Sequence, residues 1–583
     1  MACALSRLLA ISRSLWDWDE ALFSLGMRGY DVAKHHPHPP GFPLFIALSK
    51  VMRLIAPTDF RALQSVTVIS SLFLFPAVYF LARSVRMSFS TSVIAGVLCA
   101  FFPNVWFFGG TAFSDIPSVV LVLVAVALLF RGVDDRRAYL AGSLVLALAM
   151  AIRPQNLLVG LFPGAMATWF RWRDRKRDVV FAALVGVVTV AIFYGAAIAL
   201  TGWSRYFAAV AAHRDYIWNI DSFRSAQRPP LWRISDRFFI KQYGSPPLSI
   251  VTSILVLIST VGAIRTRDRR IGFLAAAFLP FCFVAWAMLD RFSISRFSIG
   301  YIPLFACLAA DGIRRVAVTA ERRFGGNELV TETTIGAVLA LAFAIWTLPA
   351  LAVVRNTVSP PLQAIAVTKR TLNPAGDRLY VAYSMVPYVE YFVPRRPWLR
   401  VLDERAIPLD DLNPNPAFLL TEHDYPVSRG YAFTRHRGGL WNIARRHYFD
   451  VSLAPVERFA HFGAGWYQPE SSDTDEWRWM GSHSATLLPP TSGPAALRLN
   501  FDVPAELLPL HPRVTIKLNG KVIESFPATH STETHDYTGL ASDPVRSNVL
   551  ELSIDHTLKP TSVPGADARE LGLMMRFLSF GTA

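Results

Sequence analysis

Repeated runs of near-continuous Val, Leu, Ala, Ile and Phe fill the first 355 residues of the chain. About ten of them approach the ~20 residues that a helix needs to cross the hydrocarbon core of a bilayer. They lie at 63–85, 91–109, 113–131, 138–153, 155–170, 179–201, 247–264, 271–289, 297–313 and 334–355. A chain with so many such runs cannot bury them all in one water-facing globule. With 52% hydrophobic and only 17% charged residues over 583 positions, part of its surface must have lipid as solvent. The expectation is a polytopic α-helical membrane protein of about 10 to 11 spans. After 355 the sequence turns polar and Pro-rich, and there the main domain boundary is expected.

A formal net charge of +15 would suggest nucleic acid as the partner of a soluble protein. Here the arginines sit in short clusters between apolar runs, so the charge reads as membrane topology and no nucleic acid is expected. The basic connections hold Arg83 and Arg86, Arg131 to Arg137, Arg171 to Arg177, Arg265 to Arg270 and Arg314 to Arg323. Placing those five in the cytoplasm puts 16–62, 104–114, the Arg153-Pro154-Gln155-Asn156 turn, 202–246, 290–296 and everything after 355 outside. The expected location is therefore the cell inner (plasma) membrane, multi-pass, with extracytoplasmic C-terminal domains.

The stretch 41–57 resembles a span, but crossing there would invert every later loop. With Lys50 and Arg53 in it, it reads as an amphipathic helix lying in the interface. Residues 1–15 carry Arg7 and Arg13, are too short and charged to span, and do not read as a signal peptide. The sequence leaves open whether a first spanning helix is missing from the chain. The cysteines, Cys3, Cys99, Cys282 and Cys307, imply neither a disulfide framework nor a zinc site in the polar third.

Candidate chemistry concentrates after the N-terminus, in Trp16-Asp17-Trp18-Asp19-Glu20 and in Lys34-His35-His36-Pro37-His38-Pro39-Pro40-Gly41-Phe42-Pro43. Two readings stand side by side. In one, Asp19 caps a helix over 20–30, Glu20 favours its first turn, the tryptophans anchor the interface and the His-Pro run is a turn. In the other, these acids and imidazoles form a reaction site.

An Asp-Glu in the first external loop, followed by His-Pro-Pro-Gly-Phe-Pro-Leu opening an interfacial helix, resembles the GT-C superfamily of membrane glycosyltransferases. The nearest branch by likeness is the bacterial relatives of protein O-mannosyltransferases and aminoarabinose transferases, and the likeness covers residues 16–355. The resemblance implies a GT-C-like fold, with Asp19 matching the catalytic first-loop acid and Glu20 beside it. It also implies that Asp115, in Phe113-Ser114-Asp115-Ile116-Pro117, matches a second acid at the external end of a later helix. A helix cap ahead of Pro117 is the other reading of Asp115. Where the family often has Lys before the paired prolines, this chain has His38, leaving His36, His38 and Lys34 as substitutes in contacting phosphate.

Nucleotide sugars are charged cytoplasmic molecules, so a donor used outside is expected to arrive on a lipid, as a polyprenyl-phosphate sugar. Its phosphate is already a good leaving group, so the site needs one general base and several cations. Asp19 would take the proton of an acceptor hydroxyl as that oxygen attacks the anomeric carbon, with inversion. The available external cations are Lys34, His36, His38, Arg153, Arg291 and Arg296. Arg153 ends an apolar helix before Pro154, where a buried charge is costly without an anion; simple snorkelling is the competing account. The acceptor is a glycan, lipid or protein, the sugar a hexose or pentose, and membrane lipids surround the domain. No cofactor is expected and no metal ligands are assigned, though the sequence leaves a divalent metal open.

The long 202–246 connection carries Trp203, Tyr206, His213, Arg214, Asp215, Tyr216, Trp218, Asp221 and Trp232. Its aromatics either border a sugar or lipid cleft or form an interfacial belt. Beyond the membrane domain (1–355), alternating signals predict a small α/β module over 356–450 without a nucleotide-binding glycine motif. Period-two patterns predict a β-sandwich of jelly-roll type over 451–583, with a hairpin at Asn519-Gly520. Among its tryptophans, Trp466 reads as core. The competing functional class is a lipid or glycan transporter (flippase) with an external carbohydrate-binding domain, which would be expected to show inverted repeats and midplane ionisable groups.

Overall fold

The computed structural model describes residues 2–582 apart from 225–229, 241–244, 288–293, 374–376, 402–416, 423–430, 434–450, 456–459, 468–469, 472–475, 492 and 560–568. Two compact units result, the described residues up to Leu362 forming one and those from Gln363 onward the other.

In the first unit the described residues of the apolar runs are largely helical, some runs as one helix and others, such as 63–85, as two in succession. The helix Asp115–Arg131 is buried along most of its length and packs on Arg136–Ile152, which makes it central. Lys176–Thr201 instead exposes Val180, Phe181, Leu184, Val187, Val188, Ile192 and Leu200. A side covered in large aliphatic groups is stable only against hydrocarbon, so this is a membrane protein. Among the described residues, Asp59–Ser84, Lys176–Thr201, Pro246–Thr266, Arg269–Ala287 and Glu328–Thr371 are long and apolar enough to cross.

Several expected runs are shorter or interrupted. Residues 91–109 form two helices, Phe89–Phe101 and Pro103–Phe108, because Pro103 has no N–H to continue the first and suits the start of a second. The 41–57 stretch gives Pro43–Met52, ten residues, too short to cross a bilayer at 1.5 Å per residue. The described residues of the 202–246 connection are largely helical: Trp203–Tyr216 and Leu231–Ser235 each run into a π turn.

The second unit carries a five-stranded mixed sheet. Arg378–Ala382 lies between parallel neighbours Leu399–Val401 and Ala417–Thr421, and Val451–Pro455 joins antiparallel to Ala417–Thr421 and Tyr431–Phe433. Val451–Pro455 thus belongs to this sheet, and the strands of the β-sandwich follow it in the chain. The sandwich has two five-stranded sheets. In one, Ala495–Asp502 lies between Thr532–Leu540 and the middle strand Met574–Thr582; in the other, Arg513–Leu518 lies between Lys521–Pro527 and the middle strand Asn548–Ile554. Alternate residues such as Leu497, Leu499, Phe501, Val514, Ile516 and Leu552 point into one shared core. Asn519 and Gly520, at φ 53° and 77°, make the positive-φ turn that Asn-Gly favours. Trp466 packs against this core and donates its indole N–H to Thr486 Oγ1 at 3.0 Å.

Candidate active site

The site begins with a helix cap. Asp17, not Asp19, caps the helix Trp18–Arg28: its Oδ1 accepts the Asp19 N–H at 3.0 Å. Glu20 closes the capping box, its Oε2 accepting the N–H groups of Trp16 at 2.6 Å and Asp17 at 3.0 Å. The other oxygen, Oε1, accepts the N–H of Ala112 at 2.8 Å, on the segment leading to Asp115. Glu20 thus joins the two acid-bearing segments through backbone amides. Burial pushes its carboxyl up to about 7, although the amides of Ala112, Trp16 and Asp17 pull the other way.

With Asp17 as cap, the Asp19 side chain is left for tertiary contacts. Its Oδ2 accepts a hydrogen bond from Arg296 Nη1 at 2.5 Å. Arg296 Nε stands 4.0 Å from Asp115 Oδ2, so one guanidinium lies between the two acids. Asp115 Oδ2 also accepts from Arg153 Nη2 at 2.8 Å, while Arg153 Nε donates to Ser114 Oγ at 2.9 Å. Asp19, Asp115, Arg153 and Arg296 are each at most 8% exposed, so two carboxylates and two guanidiniums offset one another out of water. Aromatic rings cover the cations: Phe42 stacks on Arg153 at 5.3 Å and Phe113 on Arg296 at 4.8 Å. A cavity of about 30 Å³ opens beside them, lined by Asp115, Arg153, Asn156, Phe297, Ile299 and Gly300.

The His-Pro segment forms the next wall. Gly41, at φ 102°, is needed because a Cβ there would stand 2.3 Å from Tyr30 Oη. Tyr30 Oη donates to Gly41 O at 2.9 Å and Tyr206 Oη to Pro40 O at 3.0 Å, which pins the turn against the Trp203–Tyr216 helix. His38 is thereby held with Nδ1 3.8 Å from Asp19 Oδ1, its ring against Phe23, Phe42 and His213. Burial pulls His38 down to about 3; Asp19 opposes this, and Arg296, His213 and Arg153 add to it. His213 and His35 are also lowered, first by burial.

Of the residues expected from sequence, Asp19, Asp115, Arg153, Arg296 and His38 come together, with Glu20 behind them holding backbone. Lys34 ends the short turn Val32–Lys34 with its side chain exposed, and His36 pairs through its backbone with Asp31. Arg291 lies outside the described residues. Sequence reasoning passed over Ser114 as a partner of Arg153, Phe42 and Phe113 as covers of the guanidiniums, and His213 as a neighbour of His38. Only His213 stood in a stretch already marked as dense in polar aromatics. Among the described residues no cluster of three His, Cys, Asp or Glu side chains is arranged to hold a metal ion.

No protein-family model matches the sequence, and neither does any curated protein. Solved structures do. ArnT from Cupriavidus metallidurans bound to undecaprenyl phosphate is similar at 13% identity, over 78% of this chain and 96% of that one, with a TM-score of 0.48. The Archaeoglobus fulgidus oligosaccharyltransferase in the apo form is similar at 9% identity over 98% and 96%, TM-score 0.45. Arabinofuranosyltransferase AftD from Mycobacteria is similar at 11% identity over 100% of this chain and 61% of that one, TM-score 0.41.

Proposed function

We propose that the chain is a GT-C-type membrane glycosyltransferase that moves a sugar from a polyprenyl-phosphate-linked donor to an acceptor on the extracytoplasmic face. The observation that carries this reading is the buried cluster of Asp19, Asp115, Arg153 and Arg296, assembled from separate parts of the chain beside a cavity. Asp19 takes the acceptor proton as the acceptor oxygen bonds to the anomeric carbon from the face opposite the phosphate. The bond between that carbon and the phosphate oxygen breaks, its electrons leave with the lipid phosphate, and the anomeric centre inverts. Arg153 and Arg296 are the cations available to stabilise the departing phosphate, and their aromatic covers keep water from screening them.

Asp115 holds Arg153 and Arg296 in place when the donor is absent. The acids gather at helix starts with arginine partners, an arrangement that suits chemistry at one place better than passage of a solute along an alternating path. The test is transfer from a panel of radiolabelled polyprenyl-phosphate sugars in membranes, comparing wild type with Asp19→Asn at matched expression. Loss of transfer in the variant supports the enzyme and its base. Full activity of Asp19→Asn removes Asp19 from that role, and a wild type that uses no donor favours a transporter.

A further inference from the structure

We propose that His38, His213 and His35 carry the proton from Asp19 to solvent after each transfer, a reading that rests on Asp19 being the base of the proposed reaction. A base that accepts one proton per turnover must lose it before the next. Asp19 is 8% exposed and its Oδ2 accepts from Arg296, so a proton taken up by the carboxylate needs a neighbouring group to pass to. His38 Nδ1 faces Oδ1 at 3.8 Å. That nitrogen is buried and has no hydrogen-bond partner among the described residues.

The distance has a chemical reading. If the ring carries its proton on Nε2, then Nδ1 and the Asp19 carboxylate are both acceptors and do not bond. Protonating Asp19 supplies the missing hydrogen and closes the gap. The ring beyond His38 is His213, with centroids 6.1 Å apart, and the ring beyond that is His35 at 6.5 Å. Those separations leave room for a bridging water between rings. Exposure rises along the row: His38 is walled by Phe23 and Phe42, His213 is half-buried, and His35 is exposed.

The charged and titratable groups around His38 are Asp19 from the Trp18–Arg28 helix, Arg296, Arg153 and His213 from the Trp203–Tyr216 helix. Two nearby guanidiniums and burial keep the ring neutral, so it is a poor cation for phosphate. A neutral imidazole still relays. Nδ1 takes the Asp19 proton while Nε2 releases its own toward His213, so no charge is created in the buried site. One proton leaves per sugar transferred, and the starting tautomer returns when Nε2 takes a proton from the water of the row and Nδ1, brought to that water by a turn of the ring about Cβ–Cγ, gives one up. His38 and His213 are thus positioning residues that act through Asp19.

The test uses full-length protein in membranes: wild type, His38→Gln and His213→Phe, with transfer from the radiolabelled donor panel followed against pH and in heavy water. Binding of undecaprenyl phosphate and thermal stability are measured alongside. Glutamine fills the space but cannot accept and release a proton together. The relay predicts that kcat falls ~10-fold or more in His38→Gln and less in His213→Phe. It also predicts that undecaprenyl phosphate affinity stays within about twofold, that the solvent isotope effect on kcat grows, and that rate is regained at high pH as hydroxide takes over proton removal. Weakened phosphate binding with unchanged kcat would make His38 a phosphate ligand and overturn the relay, as would wild-type kinetics in both variants. Should His38→Gln fail to fold, His213→Phe decides alone, because it lies on another helix. A wild type without any transfer overturns the transferase reading as well, whereas an active wild type with active variants overturns only the relay.

Discussion

Glu20→Gln separates holding the backbone from doing chemistry. Glu20 presents two oxygens to three amides: Oε2 to Trp16 and Asp17, Oε1 to Ala112. A carboxyl group satisfies all three whether or not it is ionised, since its carbonyl oxygen accepts twice and its hydroxyl oxygen once. Glutamine cannot, because its NH2 group accepts nothing and must face either Ala112 N–H or the Trp16 and Asp17 pair. At least one buried amide then loses its acceptor, at about 1–3 kcal/mol, and the NH2 group is itself left facing an N–H donor. The expected total is ~2–4 kcal/mol of stability. Melting of the detergent-solubilised protein measures it, with transfer rates compared per folded molecule.

The sign with pH is fixed too. Burial raises Glu20 from its ordinary 4.5 to about 7, so between those values the folded chain binds more protons than the unfolded one and wild-type stability falls as pH rises. The glutamine of the variant has no such proton to lose. The deficit of the variant is therefore largest below the window and narrows toward pH 7. A variant that melts with the wild type at every pH yet transfers no sugar would refute this reasoning and make Glu20 a catalytic acid.

Arg296→Met strips Asp19 of a buried partner and is expected to cost about 3–5 kcal/mol as a broken buried pair. Transfer should fall ~100-fold or more, and Arg296→Lys should recover only part, since an ammonium cannot fork between Asp19 and Asp115; initial rates and melting check both. Gly110→Ala would set a Cβ 1.7 Å from the Ala10 carbonyl oxygen. Gly110 O accepts from Ser12 N–H and Gln64 Nε2, two residues before the Ala112 contact to Glu20, so melting temperature and transfer should drop together. Gly465→Ala, at φ 81°, would place a Cβ 1.8 Å from His483 O and should raise protease cleavage in the sandwich, seen as new fragments ending after 455.

Hydrophobic runs foretold where the helices lie because length and apolarity are local properties, read without knowing a neighbour. The Asn519-Gly520 hairpin was legible for the same reason. So, in principle, was the true helix cap: Asp17-x-x-Glu20 has the spacing of a capping box, and reading it would have moved the cap off Asp19 and given Glu20 a backbone role. Alternation tells that a strand exists, not which edge it joins, and Val451–Pro455 pairs with Ala417–Thr421 rather than with the strands that follow it.

The site itself divides along the same line. Candidate acids and cations could be named from residue type and external placement, but their pairing could not. Asp19 meets Arg296 across 277 residues of sequence, and only the packed helices decide that this arginine reaches both acids while Arg153 reaches Asp115. His38 shows the stronger form of the point. In sequence a histidine ahead of two prolines is a titratable cation; in the fold, Phe23, Phe42 and two guanidiniums leave it neutral and turned toward Asp19. Residue type fixes which charges a group can carry, whereas burial and neighbours decide which one it does carry, so a role in binding phosphate or in moving protons becomes readable only once the walls around the ring are known.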